Sequence, residues 1–80
     1  MTIEIRLFSM MAQHAGTPNL ALDVPDSATP ADVMTAIMKR WPQIPWPKGT
    51  MFAVNQDYVP PKYKLKAGDV VAIIPPVSGG

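Results

Sequence analysis

Prolines set the limits on what this chain can fold into. Ten of its eighty residues are proline. A proline ring fixes φ and removes the N–H, so it belongs in the first turn of a helix, at sheet edges or in turns. Pro25, Pro30, Pro42, Pro45, Pro47, Pro60, Pro61, Pro75 and Pro76 therefore cut the sequence into short segments. Each segment is read by its own periodicity. No helix or central strand can run through residues 42–49, which hold three prolines and Trp46. That stretch reads as a stiff, extended crossover, with Trp46 as a buried lid over the core.

Residues 2–8 alternate. Ile3, Ile5 and Leu7 fall on one side and Glu4, Arg6 and Phe8 on the other. Period two with β-branched residues predicts a half-buried strand. Phe8 is a large apolar group on the otherwise charged side. Residues 10–17 are ambiguous and end at Gly16, read as a turn. Leu20, Leu22 and Val24 alternate with Ala21 and Asp23, a second strand forming a hairpin with the first across a long loop. Thr29-Pro30-Ala31-Asp32 then opens a helix. Thr29 is a good N-cap, Pro30 suits the first helical position, and Asp32 places favourable charge in the first turn. Val33, Ile37 and Trp41 repeat at helical spacing and predict the stripe that packs on a sheet. Lys39 and Arg40 suit the helix C-terminus, and Pro42 ends it.

Residues 51–54 predict a third strand. Asn55-Gln56-Asp57 is turn chemistry. Tyr58-Val59, stopped by Pro60-Pro61, reads as a short edge strand. Lys62, Lys64 and Lys66 alternate with Tyr63 and Leu65, as on a solvated strand face. Ala67-Gly68-Asp69 makes a tight turn. Residues 70–74 are apolar on both faces and predict a central strand, or one with a face open to a partner. The order is strand, strand, helix, strand, short strand, strand. One main helix packed on one face of a mixed sheet of four to five strands is the α+β pattern called β-grasp, or ubiquitin-like. In it the first and last strands lie parallel at the sheet centre, joined through a helical crossover. The expected organisation is a β-grasp domain over residues 1–74 and an extended, flexible tail over 75–80.

Composition removes several function classes. There is no cysteine, hence no disulfide, no thiolate nucleophile and no Cys-based metal site. The net charge of +1 gives no electrostatic case for nucleic acid. Glu4 and Arg6 interrupt any N-terminal apolar run, so neither a signal peptide nor a membrane span is expected, and the expected location is cytoplasmic. His14 is the single histidine. Glu4 reads as a solvated strand position, and Asp57 and Asp69 as turn formers. No Ser-His-Asp spacing, phosphate-binding Gly loop or pair of clustered carboxylates is present. No bound cofactor and no metal are expected.

What remains is the tail, Pro75-Pro76-Val77-Ser78-Gly79-Gly80. Two prolines end the last strand and hold the chain extended. Four further residues reach roughly 13 Å. Gly79 and Gly80 have no side chains, which suits a terminus that enters a narrow channel with its carboxylate unhindered.

Three groups of residues, Ala53-Val54-Asn55-Gln56, Leu65 with Gly68-Asp69 and Val71-Ala72, and the Pro-Pro-Val-Ser-Gly-Gly tail, resemble the small subunit of molybdopterin synthase. That is a ubiquitin-like, MoaD/ThiS-type sulfur-carrier family with a β-grasp fold. Leu7-Phe8 and Gly16 also sit where the family has an apolar pair and a glycine. The resemblance implies that an ATP-using adenylating enzyme of the E1-like kind activates the Gly80 carboxylate. A sulfur donor system then converts it to a thiocarboxylate, which gives its sulfur to precursor Z inside the large synthase subunit. The chain would be a non-catalytic subunit, the catalytic side chains belonging to the partner. The chain departs from the family at Ala12 and Gln13, where an Arg-Glu pair is common, and at Ile73 and Ile74, where aromatics are common.

Strand parity adds a docking surface. Val71 and Ile73 should face the helix with Ile3, Ile5 and Leu7. Ile74 and Phe8 then share the other face, and Tyr58 lies where the family has an apolar residue. With Pro75, Pro76, Val77, Ser78 and Gly79 they form the expected partner-binding set. Other readings remain open: a carrier for thiamine thiazole, cysteine or tungsten-cofactor synthesis, a ubiquitin-like protein modifier, or an interaction module with an incidental Gly-Gly.

Overall fold

The computed structural model describes residues 1–76. Seven elements follow one another: β1 (Thr2–Leu7), α1 (Ser9–Ala15), β2 (Asn19–Asp23), α2 (Pro30–Arg40), β3 (Met51–Val54), β4 (Asp57–Val59) and β5 (Val70–Ile74). The strands form one sheet in the order β2-β1-β5-β3-β4. β1 and β5 are parallel, pairing Ile5 with Val71 and Leu7 with Ile73. The β1–β2, β3–β5 and β3–β4 pairs are antiparallel. This is the expected β-grasp sheet with its full five strands.

The inner face follows the alternation. Ile3, Ile5, Leu7, Val71 and Ile73 are buried against Val33 and Ile37 of α2. The start of α2 is a complete capping box. The Asp32 N–H donates to Thr29 Oγ1 (3.3 Å) and the Thr29 N–H to Asp32 Oδ2 (3.0 Å). Pro30 occupies the first turn, and Trp41 closes the helix as its C-cap.

The structure departs from expectation at three places. The first strand stops at Leu7, and Phe8 is the N-cap of α1, a second helix over residues read as ambiguous. α1 has only seven residues and no side-chain cap, and Met11 is its one buried residue. A helix that short is held by tertiary packing, not propensity, so it leaves little periodic signal. Gly16, with φ of 81°, ends it, its N–H reaching the carbonyls of Ala12 and Gln13. Second, residues 61–69 hold no strand, although Lys62, Lys64 and Lys66 are exposed and Leu65 is buried. The Leu65 N–H donates to the Ala28 carbonyl (2.9 Å), tying this segment to the loop before α2 and not to the sheet. Third, Trp46 is half-buried against the core, not fully covered; Ile44 fills the buried position in that crossover.

Candidate functional site

The second face of the sheet is not covered by α2. The large apolar residues left exposed there are Phe8 after β1, Met51 on β3 and Tyr58 on β4. Their placement follows from register. Met51 pairs with Ile74, and one step from the Leu7–Ile73 pair brings Phe8 beside Ile74. Phe8 and Ile74, expected to be neighbours, do line one open cavity of about 580 Å³ together with Ser9, Met10, Pro47, Pro75 and Pro76. The cavity sits where the chain leaves β5. Phe8 also borders a smaller concavity of about 380 Å³ with Arg6, Asn55, Gln56, Val70 and Ala72. Tyr58 shares this face but lies in neither cavity. It pairs with Ala53 at the β4 edge, three strand spacings or roughly 14 Å from β1.

Pro75 is half-buried and Pro76 exposed. Val77, Ser78, Gly79 and Gly80, the remaining expected site residues, lie outside the described residues. Met10, Met51 and Pro47 belong to this surface and were not singled out from the sequence. Met51 carried a usable signal, since it alternates with the buried Phe52. Met10 and Pro47 sit on connections whose paths periodicity does not reveal.

The two loops beyond the open face are tied by a polar pair. Val54 and Asp57 close a two-residue hairpin whose central residues, Asn55 and Gln56, have φ of 51° and 77°. Both positive values match the twisted turn that a tight hairpin needs, and Asn tolerates that region well. Asn55 Nδ2 donates to Asp69 Oδ1 (3.0 Å), and the Val70 N–H donates to Asn55 Oδ1 (3.1 Å). The buried Asp69 also accepts from the Lys66 N–H (2.8 Å). Asp69 is thus a turn former, as expected, and also the clamp between the β3–β4 hairpin and the entry to β5.

The open face also carries charge. An exposed Arg6–Glu4 ion pair (3.0 Å) sits on it. His14 lines neither cavity; its Nδ1 meets the Met10 carbonyl within α1 (2.8 Å). Among the described residues no group of three or more His, Cys, Asp or Glu side chains is placed to hold a metal ion. No helix among them is long and apolar enough to cross a membrane.

A ubiquitin-like fold with an apolar face gathered at the exit of its last strand defines the class of the protein. More closely, the chain belongs to the ThiS family, whose sequence model matches residues 5–80. It is 39% identical over 83 residues to the molybdopterin synthase sulfur carrier subunit of Chlamydomonas reinhardtii, with all of both chains covered. It is 33% identical to the chain of the same name from Dictyostelium discoideum, covering 96% of this chain and 94% of that one. Among solved structures, the small archaeal modifier protein 1 of Haloferax volcanii superimposes with a TM-score of 0.85 at 25% identity, covering 95% of this chain and 98% of the other.

Proposed function

We propose that this chain is the sulfur-carrier subunit of a molybdopterin synthase, with the Gly80 carboxylate as its reactive group. A carboxylate resists attack by sulfur until it carries a good leaving group. ATP supplies one on a partner adenylating enzyme: a carboxylate oxygen bonds to the α-phosphate and pyrophosphate departs. Sulfide delivered by a donor system then attacks the acyl carbon and displaces AMP, leaving a thiocarboxylate. The carrier docks on the large synthase subunit and its sulfur bonds to precursor Z, after which water cleaves the acyl carbon–sulfur bond and restores the Gly80 carboxylate. The observation that carries this reading is the apolar surface of Phe8, Ile74 and Pro75 at the exit of β5. A partner held there grips the chain close to its C-terminus. The full-length likeness to relatives bearing the sulfur-carrier name supports the pathway.

Incubation with the adenylating enzyme, ATP and a sulfur donor should exchange one terminal oxygen for sulfur, read by intact mass. Deleting Gly80 should abolish the exchange. No mass change with competent partners would sink this reading. The likeness to a small archaeal modifier protein favours a second reading, conjugation of the same terminus to lysines. Isopeptide-linked products in place of the thiocarboxylate would select it.

A further inference from the structure

We infer that the tight turn that ends the proline-rich crossover before β3 positions the neck of the tail, with Gly49 and Pro76 as the residues through which it acts. This rests on the sulfur-carrier reading. The sheet register predicts where the contact must fall. β3 and β5 are antiparallel, and Met51 opposes Ile74. Two steps further, past the last pair, Gly49 comes opposite Pro76. Pro75 and Pro76 have no N–H, so no ladder can extend to them. Packing of the proline rings against the neighbouring turn is the means by which the neck can be held in line.

The local structure meets that demand. Residues 47–50 form a tight turn in which the Thr50 N–H and hydroxyl both donate to the Pro47 carbonyl (3.2 and 2.6 Å). Gly49 has φ of 92°, which a type II turn of this kind requires at its third position. A Cβ built on Gly49 would lie 3.5 Å from Pro76 Cβ and 3.8 Å from its Cγ. The same construction at Gly16 and Gly68, which also have positive φ, meets nothing within 4 Å. So of these three Gly49 alone faces the neck, at a spacing where a Cβ would make ordinary contact and a larger side chain would press on Pro76. Pro47 completes the arrangement by walling the root cavity opposite Phe8 and Met10. Ile44, buried in the core, anchors the crossover that leads into the turn.

A guide of this kind sets the direction in which the chain leaves the sheet at Pro76, so it should govern the rate of sulfur loading and leave the affinity of the docking face alone. An ångström of misplacement costs up to about a hundredfold in rate. In the wild-type chain, NMR should give cross-relaxation between Gly49 Hα and Pro76 Hβ and Hγ. Thiocarboxylate formation is then followed for Gly49→Ala, Gly49→Val, Pro76→Ala and the Val/Ala double variant, with the adenylating enzyme saturating. Gly49→Ala carries the backbone strain with little crowding. Gly49→Val adds methyl groups toward Pro76 and should slow loading about tenfold or more beyond it, with KM held within about twofold. Pro76→Ala in the Val background should restore most of that loss, because the two residues are coupled. Backbone strain alone would not be rescued from position 76. Strictly additive rates, or absent cross-relaxation, would overturn the inference whatever the chain does. Cross-relaxation present in a chain that never loads sulfur would instead overturn the carrier reading and this role with it.

Discussion

The two faces of the sheet carry similar residues and treat them differently. On the inner face Ile5, Val71 and Ile73 are 0% exposed beneath α2. On the open face Phe8 is 44%, Met51 50% and Tyr58 65% exposed. Neighbouring positions on one strand thus meet opposite fates: Ile73 is sealed while Ile74 lines the root cavity. Burial of the inner set stabilises the fold, at about 25 cal/mol for each Å² of apolar surface removed from water. The open set gains little of that until something covers it. Large exposed apolar groups gathered in one place mark a surface made for a partner. The difference teaches that alternation here separates a sealed face, which stabilises the fold, from an open apolar one, to which the proposed function assigns docking.

That division can be broken by substitution. The largest stability effect is expected from Ile73→Ala, which empties a site beneath α2 and should cost about 2–5 kcal/mol in urea unfolding. For a domain this size that is a large share of a total of roughly 5–15 kcal/mol. A loss below about 1 kcal/mol would mean that the inner face is not the stabilising one. A smaller effect is expected from Asp69→Ala. It leaves Asn55 Nδ2 and the Lys66 N–H without their acceptor and should cost about 1–3 kcal/mol in the same assay. No measurable loss there would show that the clamp is dispensable to the fold.

How much of this was legible in the sequence depended on the range of the signal. Period-two alternation placed β1 and β2, a continuous apolar run placed β5, and the Thr29-Pro30-Ala31-Asp32 cluster placed the start of α2, because each of these signals lies within a few consecutive residues. The parity of Phe8 and Ile74 followed from the same alternation once β1 and β5 were paired. α1 was not legible. It has no side-chain cap, and one buried Met11 makes no stripe. The segment around Lys62, Lys64 and Lys66 misled for a physical reason: alternate burial arises wherever extended chain lies on a core, whether or not a ladder forms. The Asn55–Asp69 clamp joins residues fourteen apart, and Gly49 faces Pro76 across twenty-seven positions of sequence, so only the fold brings either pair together. Tyr58 shows the limit of parity, which assigns a face but not a distance along it.

The most direct test of the division is Phe8→Asp. Phe8 is the N-cap of α1 and makes no capping hydrogen bond, whereas aspartate is a favoured cap. Thermal unfolding should therefore move by no more than about 0.5 kcal/mol. Titration against the large synthase subunit should show a loss of at least about 2 kcal/mol, roughly thirtyfold in Kd. An unchanged Kd in a fully folded variant would contradict the account.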